Sequence, residues 1–247
     1  MSKKLIDLRQ SGILADRYFD VMMGDFKSLL LMVAQAVFLA GLVSLVWENI
    51  GRATDTLYFV LVLIAIWLGC TNACREIVKE QAIFFRERMV NLNIGAYVFS
   101  KIRVLAMIGF VQCLLLLMIV HYYVHLSGNK LLIFLTLYLS ALVASLLGLV
   151  LSAITDSEAA AVFLVPLVVI PQILLSEIIL PPALQSGITA WLEKLMILKW
   201  GYHSLTEITD TSVRYLLILR DFAILAGFGL SLFALATILL TFKPNRL

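Results

Sequence analysis

The stretch REIVKEQAIFFRERMVNLNIGAYVFSK, residues 75–101, holds eight charged side chains in a chain that is 62% hydrophobic and only 14% charged. Long apolar runs precede and follow it. The 247 residues have a mean hydropathy of +1.01, which is more apolar surface than a globular protein in water can hide. We therefore predict an all-α integral membrane protein, in which this charged stretch is the part that needs an explanation.

Six apolar runs are each about as long as a helix that crosses roughly 30 Å of hydrocarbon. We predict membrane-spanning helices over 29–47, 57–74, 99–120, 131–152, 158–176 and 222–242. The residues before the first run lack the compact apolar core of a cleavable signal peptide. Cys70, Cys74 and Cys113 lie in or beside the runs, where buried thiols need no disulfide.

Lysine and arginine counts predict the orientation of these six spans. With the N-terminus in the cytoplasm, thirteen of the 19 lysines and arginines fall on the cytoplasmic side and six on the outer side. Both termini are then cytoplasmic, in a multi-pass plasma membrane protein.

Two segments depart from the up-and-down pattern of spans. Residues 1–28 predict an amphipathic helix that lies along the membrane surface, ahead of a six-helix membrane domain over 29–247. Residues 177–216, on the outer side, include two adjacent prolines and carry Trp191 and Trp200. We predict one or two short re-entrant helices there, which return toward the bilayer surface.

Residues 75–90 predict a second amphipathic helix, on the cytoplasmic side. Basic residues form one stripe of this helix, acidic residues form the next, and apolar side chains lie opposite. A surface helix that only fixes the topology explains such a pattern, because a charge run is usually a solvated face. A ladder of both signs also suits docking against the polar surface of another protein.

The spacing E-x-x-x-F-x-R-E-(x9)-Y-x-x-x-K is formed by Glu80, Phe84, Arg86, Glu87, Tyr97 and Lys101. It resembles the segment between the second and third membrane helices of ABCG-type ATP-binding-cassette exporters. The whole stretch is more similar still to a bacterial branch in which the permease often follows ATPase and forkhead-associated domains. VPLVVIPQILLSEIILP (165–181) resembles the fifth helix and outer turn of that family, and LEKLMILKWGYHSLTEI (192–208) its outer re-entrant region.

This resemblance implies roles for particular residues. Segment 75–90 becomes the coupling helix that contacts an ATPase domain, the N-terminal helix becomes the connecting helix, and ITDSEA (154–159) becomes a second cytoplasmic contact. The implied ATPase-coupling residues are Arg75, Glu76, Lys79, Glu80, Phe84, Arg86, Glu87 and Asp156. The second and fifth helices line the central cavity of relatives, so the implied cavity residues are Leu63, Trp67, Cys70, Phe163, Leu167, Ile170 and Gln172. Glu177 and Asn93 depart from the family pattern, which bears on the substrate more than on the fold.

The resemblance also implies partners. No G-x-x-x-x-G-K-[ST] loop occurs in the chain, so we expect it to bind no cofactor itself and to rely on an ABC ATPase that holds ATP and Mg²⁺. That ATPase is a separate subunit, which the opening MSKK favours, or a domain of a longer polypeptide. Six helices are half of a transporter in this family, which implies a dimer with a second permease copy, identical or related. Membrane lipids are expected partners and nucleic acid is not.

Ionisable side chains are nearly absent from the predicted spans, which disfavours a proton- or ion-coupled carrier. Our hypothesis is the permease of an ATP-driven exporter in the bacterial inner membrane, itself no enzyme, which moves a lipid-like or amphipathic cargo outward. Two alternatives stay open. One is an ATP-independent lipid channel or scramblase, and the other is a non-transporting membrane anchor for a partner protein.

Three polar side chains allow more than one interpretation. Gln172, beside Pro171, either bonds a freed backbone carbonyl or contacts substrate. His121 and His125 are four residues apart, but no third ligand lies nearby, so we predict no metal site. His203 is interpreted as a lone structural residue.

Overall fold

The computed structural model describes residues 7–50, 53–181, 185–210 and 213–244. Its α-helices are α1 Leu8–Gly24, α2 Phe26–Trp47, α3 Asp55–Ala73, α4 Gln81–Met89, α5 Ile94–Val124, α6 Lys130–Ile154, α7 Glu158–Leu174, α8 Gly187–Glu193, α9 Ile197–Thr209 and α10 Tyr215–Phe242. Short 3₁₀ turns follow α2 and precede α4. The described ranges contain no strand, which confirms the predicted all-α class. Residues 1–6 of the predicted connecting helix, and 182–184 and 211–212 of the predicted outer segment, lie outside them.

Within the described residues, five helices are long and apolar enough to cross a membrane, namely α2, α3, α5, α6 and α10. They correspond to five of the six predicted spans. The remaining span, 158–176, is α7, a shorter apolar helix of 17 residues, or about 26 Å. Pro166 and Pro171 lie inside α7, and each removes a backbone donor from the helix. α10 begins at Tyr215, well before the predicted 222, so it includes two charged residues that the prediction left outside it.

α3 and α6 form the centre of the bundle, and α2 and α10 lie at its periphery. A Cβ atom on Gly69 of α3 would lie 2.1 Å from the carbonyl oxygen of Ala141 on α6. A Cβ atom on Gly148 of α6 would lie 2.6 Å from the carbonyl oxygen of Cys70 on α3. Small residues let helix backbones approach in this way inside membranes. The two glycines therefore explain why these helices pack so closely.

The two ends of the bundle carry different elements. α9 packs on the first half of α6, where the Thr136 and Ser204 hydroxyls are 3.2 Å apart. Segment 75–90 follows the last turn of α3, and α1 packs beside α5 at that same end. Asp25 separates α1 from α2, because its N–H bonds the carbonyl of Val21 and its carboxylate accepts from the N–H of Ser28. We call these the α4 end and the α9 end.

Candidate functional site

Segment 75–90 is not the single continuous helix that the sequence predicts. Turns and a 3₁₀ turn come first, and only α4 is α-helical. The hydroxyl of Ser152, near the end of α6, accepts hydrogen bonds from the backbone N–H groups of Ile77 and Val78, both at 3.0 Å. These two backbone donors are thereby satisfied, and the segment is attached to α6.

The apolar side of the segment is buried, as the helical pattern predicts. Phe84 is 1% exposed, and its ring centroid lies 5.1 Å from that of Tyr97 on α5. Phe85 is buried beside it, with ring centroids 5.6 Å apart. Burying a side chain of this size contributes about 1.5–3 kcal/mol. Phe84 therefore joins α4 to α5 and presents no ring to solvent.

Two acidic residues of the predicted ladder turn inward. Glu76 is 2% exposed and accepts hydrogen bonds from the Tyr18 hydroxyl on α1 and from Nζ of Lys79 at 2.6 Å. Glu80 accepts from Nζ of Lys101 on α5 at 2.5 Å. Only the Glu76–Lys79 pair lies within the segment. The other contacts join the segment to α1 and α5.

Lys101 is the most buried cation of this cluster. Its side chain is 1% exposed, and Nζ lies 3.7 Å from the centroid of the Tyr18 ring. Burial, reinforced by the charge of Glu76, raises the pKa of Tyr18 well above its usual value, so the phenol stays protonated and keeps donating. Buried charges are tolerated only when they are paired and hydrogen-bonded, as they are here. We call Tyr18, Glu76, Glu80 and Lys101, together with the exposed Lys79 that pairs with Glu76, the buried charge cluster.

A further ion pair joins α4 to α1. Arg17 donates to both carboxylate oxygens of Glu87, the longer of the two contacts being 3.4 Å. This hydrogen bonding raises the pKa of Arg17, so its guanidinium stays charged. The pair is partly exposed to solvent and contributes only about 0–1 kcal/mol. All three ladder carboxylates are thus neutralised by partners inside the chain.

The surface that the segment leaves exposed is basic and apolar. Arg75 and Arg86 are exposed, as are Ile83, Met89 and Val90. We call these five residues the α4 face. A groove of about 610 Å³ opens beside it, between α1 and α4, and is lined by Gln10, Ile13, Leu14, Ile83, Arg86, Glu87, Val90 and Leu92. The exposed charge is therefore positive, and not the alternating ladder that the helical pattern predicts.

The predicted second contact lies at the same end. Asp156 is exposed in the loop between α6 and α7, and one of its carboxylate oxygens is 3.6 Å from Nζ of Lys243. Ser157 caps α7 by accepting from the N–H of Ala160 at 3.3 Å. The loop therefore presents a carboxylate at the α4 end.

Five of the seven predicted cavity residues are at least partly exposed. Leu63 and Trp67 are half-buried on α3, and Phe163, Leu167 and Ile170 are exposed on α7, which packs beside α3. The three α7 residues share the exposed face of that helix, opposite its buried face. We call these five residues of two neighbouring helices the α3–α7 surface.

The other two predicted cavity residues lie beneath that surface. Cys70 is fully buried where α3 meets Gly148 of α6. Gln172 is 3% exposed, accepts a hydrogen bond from the N–H of Leu198 at 3.2 Å and donates to the carbonyl of Val168 at 3.4 Å. Of the two interpretations of Gln172, these contacts favour bonding to the backbone.

Comparison with known proteins identifies the family to which the chain belongs. Residues 9–209 match the ABC-2 type transporter family. The chain belongs to this family. It is also 29% identical, over 192 residues, to an ABC transporter ATP-binding/permease protein of Mycobacterium tuberculosis, a match that covers 70% of this chain and 22% of the relative. The chain therefore spans less than a quarter of that relative's length.

Membership of the ABC-2 family indicates the general role of the chain. Its members are the membrane components of ABC transporters, which work together with an ABC ATPase. With five helices long enough to cross a bilayer in the part of the chain that the structure describes, the protein is a multi-pass membrane protein. The family match includes α1, segment 75–90 and α9.

The α9 end of this ABC-2 component holds a charge cluster that the sequence analysis missed. Asp221 of α10 is fully buried; Nδ1 of His203 on α9 lies 2.6 Å from its carboxylate, and Arg220 donates to it at 2.9 and 3.0 Å. Glu207 accepts from Arg214 at 2.5 Å and lies 3.7 Å from Nε2 of His203. His203 is therefore not alone, and its i,i+4 spacing to Glu207 was the available signal.

A related contact involves Glu177, which departs from the pattern of ABCG-type exporters. Nζ of Lys199 lies 3.6 Å from Glu177 and 2.5 Å from the buried Glu193. Glu177 is thus placed near a cation at the α9 end.

The two other histidines show no metal-binding arrangement. The rings of His121 and His125 have centroids 6.2 Å apart. Within the described residues, no group of three or more His, Cys, Asp or Glu side chains is positioned to hold a metal ion.

We predict a pH dependence from His203. The hydrogen bond to Asp221 raises the pKa of His203, with the charges of Asp221 and Glu207 acting in the same direction and burial and Arg220 against it. The protonated ring therefore stabilises the folded state fully below the unfolded pKa of about 6.5, and this contribution is lost as the pH rises through the folded pKa. The difference in unfolding temperature between wild type and His203→Gln should accordingly shrink with rising pH.

Thermal unfolding of both proteins in detergent, at pH values from about 5.5 to 8.5, measures this difference. In an Asp221→Asn background the same substitution should show a much weaker pH dependence. A difference that stays constant with pH in the wild-type background would contradict the prediction.

Proposed function

We propose that this chain is the permease of an ABCG-like exporter of the bacterial branch associated with forkhead-associated and ATPase domains. Segment 75–90 acts as the coupling element, α1 as the connecting helix, and α7 as a sixth membrane helix. Both termini then face the cytoplasm, with the α4 end inside and the α9 end outside. Two permease copies, identical or related, form the pathway, and an ABC ATPase carries ATP and Mg²⁺.

The buried charge cluster is the observation that carries this proposal. A segment that only fixed topology would need a few exposed cations and no buried partners. Here Glu80 and Glu87 pair with cations of α5 and α1, and Glu76 accepts a hydrogen bond from Tyr18 of α1. The segment, α1 and α5 are therefore held together at one end of the membrane bundle. A push on the α4 face is transmitted to α5 because these contacts are buried and paired.

The α4 face also indicates the chemistry of the ATPase surface. Two exposed arginines flanked by apolar side chains complement a surface that is acidic around an apolar centre, since opposite charges at a contact favour encounter and set register. We place the ATPase on this face and on the adjoining groove, with Asp156 at the margin of the same contact.

The cargo proposal rests on the α3–α7 surface. It is apolar, it lies on helices of membrane length or nearly so, and its α7 residues are exposed. Two such surfaces facing each other across a dimer would enclose an apolar pathway for a lipid-like or amphipathic cargo. Transport of labelled lipids by the reconstituted complex should then require ATP.

Co-purification with the ATPase tests the coupling proposal. We expect the charge-reversing pair Arg75→Glu/Arg86→Glu to lose the ATPase that wild type retains in mild detergent, because it makes the α4 face acidic. The control is Arg9→Glu/Lys27→Glu, which changes the charge by the same amount at two exposed residues of the same end outside the α4 face.

Equal loss of ATPase in both double variants, or in neither, would overturn docking on the α4 face. If no ATPase co-purifies with wild type under any condition, the exporter proposal fails, and the channel, scramblase or anchor hypotheses take its place.

A further inference from the structure

The side chain of Arg88, on α4, forms hydrogen bonds with the C-terminal end of another helix, α10. Its guanidinium donates to three backbone carbonyls at the C-terminus of α10: Leu240 at 3.3 Å, Thr241 at 2.6 Å and Lys243 at 2.9 Å. The last carbonyls of a helix have no partner within the helix and carry partial negative charge. The planar fork of arginine presents its donors to several such acceptors in a fixed geometry.

Lys243, directly after α10, repeats this arrangement on the next helix end. Its ammonium donates to the carbonyls of Ala153 at 2.9 Å and Thr155 at 2.6 Å, and lies 3.6 Å from Asp156. Its side chain is 8% exposed. Lys243 therefore connects the end of α10 to the loop through which α6 leads into α7.

A surface groove of about 320 Å³ lies beside these contacts, and its lining residues are Ala153, Ile154, Asp156, Ile238, Leu239, Phe242, Lys243 and Pro244. α6 and α10 also pack directly near their ends through apolar side chains, including Ala153 and Leu240. The hydrogen bonds of Lys243 add a polar contact between the end of α10 and the α6–α7 loop to that packing.

We propose that Arg88 and Lys243 act in series as a strap that carries a displacement of α4 to the α6–α7 loop and so to the start of α7. Through this strap α4, the end of α10 and the loop move together. In the exporter, where this inference rests on the proposed function, the strap makes the docking segment act on α7, the proline-containing helix of the α3–α7 surface. It is distinct from the contact of segment 75–90 with Ser152, which reaches α6 from the other end of the segment.

Hydrogen exchange in the permease alone tests the strap without the ATPase. Arg88→Gln should speed exchange of the backbone amides over 155–161 by about two- to fivefold, the size expected for a cation lost from a helix end, although Arg88 does not touch these residues. Lys243→Met should do the same, and the double variant should add nothing further, because two links in series fail together. Arg88→Lys should restore the slow exchange only in part, because it keeps the charge and loses the fork.

Arg103→Gln, a change to an exposed cation on α5, is the control and should leave exchange over 155–161 unchanged. Unchanged exchange in Arg88→Gln would overturn the strap. So would effects of Arg88→Gln and Lys243→Met that simply add, since the two residues would then act independently.

A second measurement addresses function in the complex with the ATPase. Spin labels at residues 158 and 238 report the separation of the α7 start from α10, with and without ATP in a hydrolysis-blocked ATPase. We expect Lys243→Met, which lies outside segment 75–90, to retain the bound ATPase and its ATP hydrolysis but to lose the ATP-dependent change in this distance. An unaltered change in Lys243→Met would overturn transmission through the strap. Loss of the ATPase from wild type would count against the proposed function, while the exchange experiment still decides whether the strap exists.

Discussion

Replacement of Lys101 by methionine should destabilise the protein by about 3–5 kcal/mol, the usual cost of breaking a buried ion pair by removing one partner. Methionine keeps the length of the side chain but leaves the carboxylate of Glu80, at 2.5 Å from the lost ammonium, without its cation. The Tyr18 ring loses the charge that lies 3.7 Å from its centroid. Unfolding by denaturant or heat in mild detergent measures the loss.

Two further variants separate charge from packing in this prediction. Glu80→Leu/Lys101→Met should recover most of the stability, because replacing both partners of a buried pair by apolar groups is often neutral or better. Arg103→Met, two residues along α5 and exposed, should cost less than about 0.5 kcal/mol. If Lys101→Met were as mild as Arg103→Met, the pair would not hold the α4 end together, and the coupling proposal would lose its main support.

The apolar helices of this fold were predictable because each depends only on a continuous run of apolar residues in its own stretch of sequence. A run long enough to cross hydrocarbon is visible in the sequence wherever it occurs, which is why the runs that became α2, α3, α5 and α6 were found within a few residues of their ends. The predicted start of α10 was too late, because the prediction began the span only after the charged Arg220 and Asp221. Charges that pair inside the protein extend a membrane helix beyond its apolar run.

The inward turn of the acidic residues was not predictable from the local pattern. Besides its pair with Lys79, Glu76 accepts a hydrogen bond from Tyr18, 58 residues away in the sequence, and the partner of Glu87 is Arg17, 70 residues away. A helical projection of residues 75–90 contains neither, so it favoured a ladder of exposed charges. Lys101 was the one local clue, because a cation among the apolar residues of α5 needs a buried carboxylate nearby.

For the predicted cavity residues too, burial depends on contacts with other helices that the sequence does not reveal. The resemblance implied that Leu63, Trp67 and Cys70 of α3 line the cavity. The structure leaves Leu63 and Trp67 half-buried, whereas Cys70 is fully buried against Gly148 of α6. Which faces of α3 are covered depends on where α6 packs, and that is set by the glycines of both helices.

Gly69→Ala should therefore destabilise the bundle by about 1–3 kcal/mol, although alanine is by itself the better helix former. The new methyl group would lie 2.1 Å from the carbonyl oxygen of Ala141, a backbone atom that can move only if α6 moves as a whole. Most other helices pack against α3 or α6, and α9 packs against both. Separating α3 from α6 therefore disturbs α9 as well. The unfolding temperature in detergent and the yield of monodisperse protein are the measurements.

Gly41→Ala is the matched control for this substitution, because it adds the same methyl group to a membrane helix where nothing lies within 4 Å of the new atom. There the higher helix propensity of alanine acts without a clash, and we expect a neutral effect or a gain of up to about 1 kcal/mol. The two substitutions are therefore expected to have opposite signs. A Gly69→Ala protein as stable as Gly41→Ala would mean that α3 and α6 can separate at little cost, and that the contact between them leaves room for α3 to move when segment 75–90 is displaced.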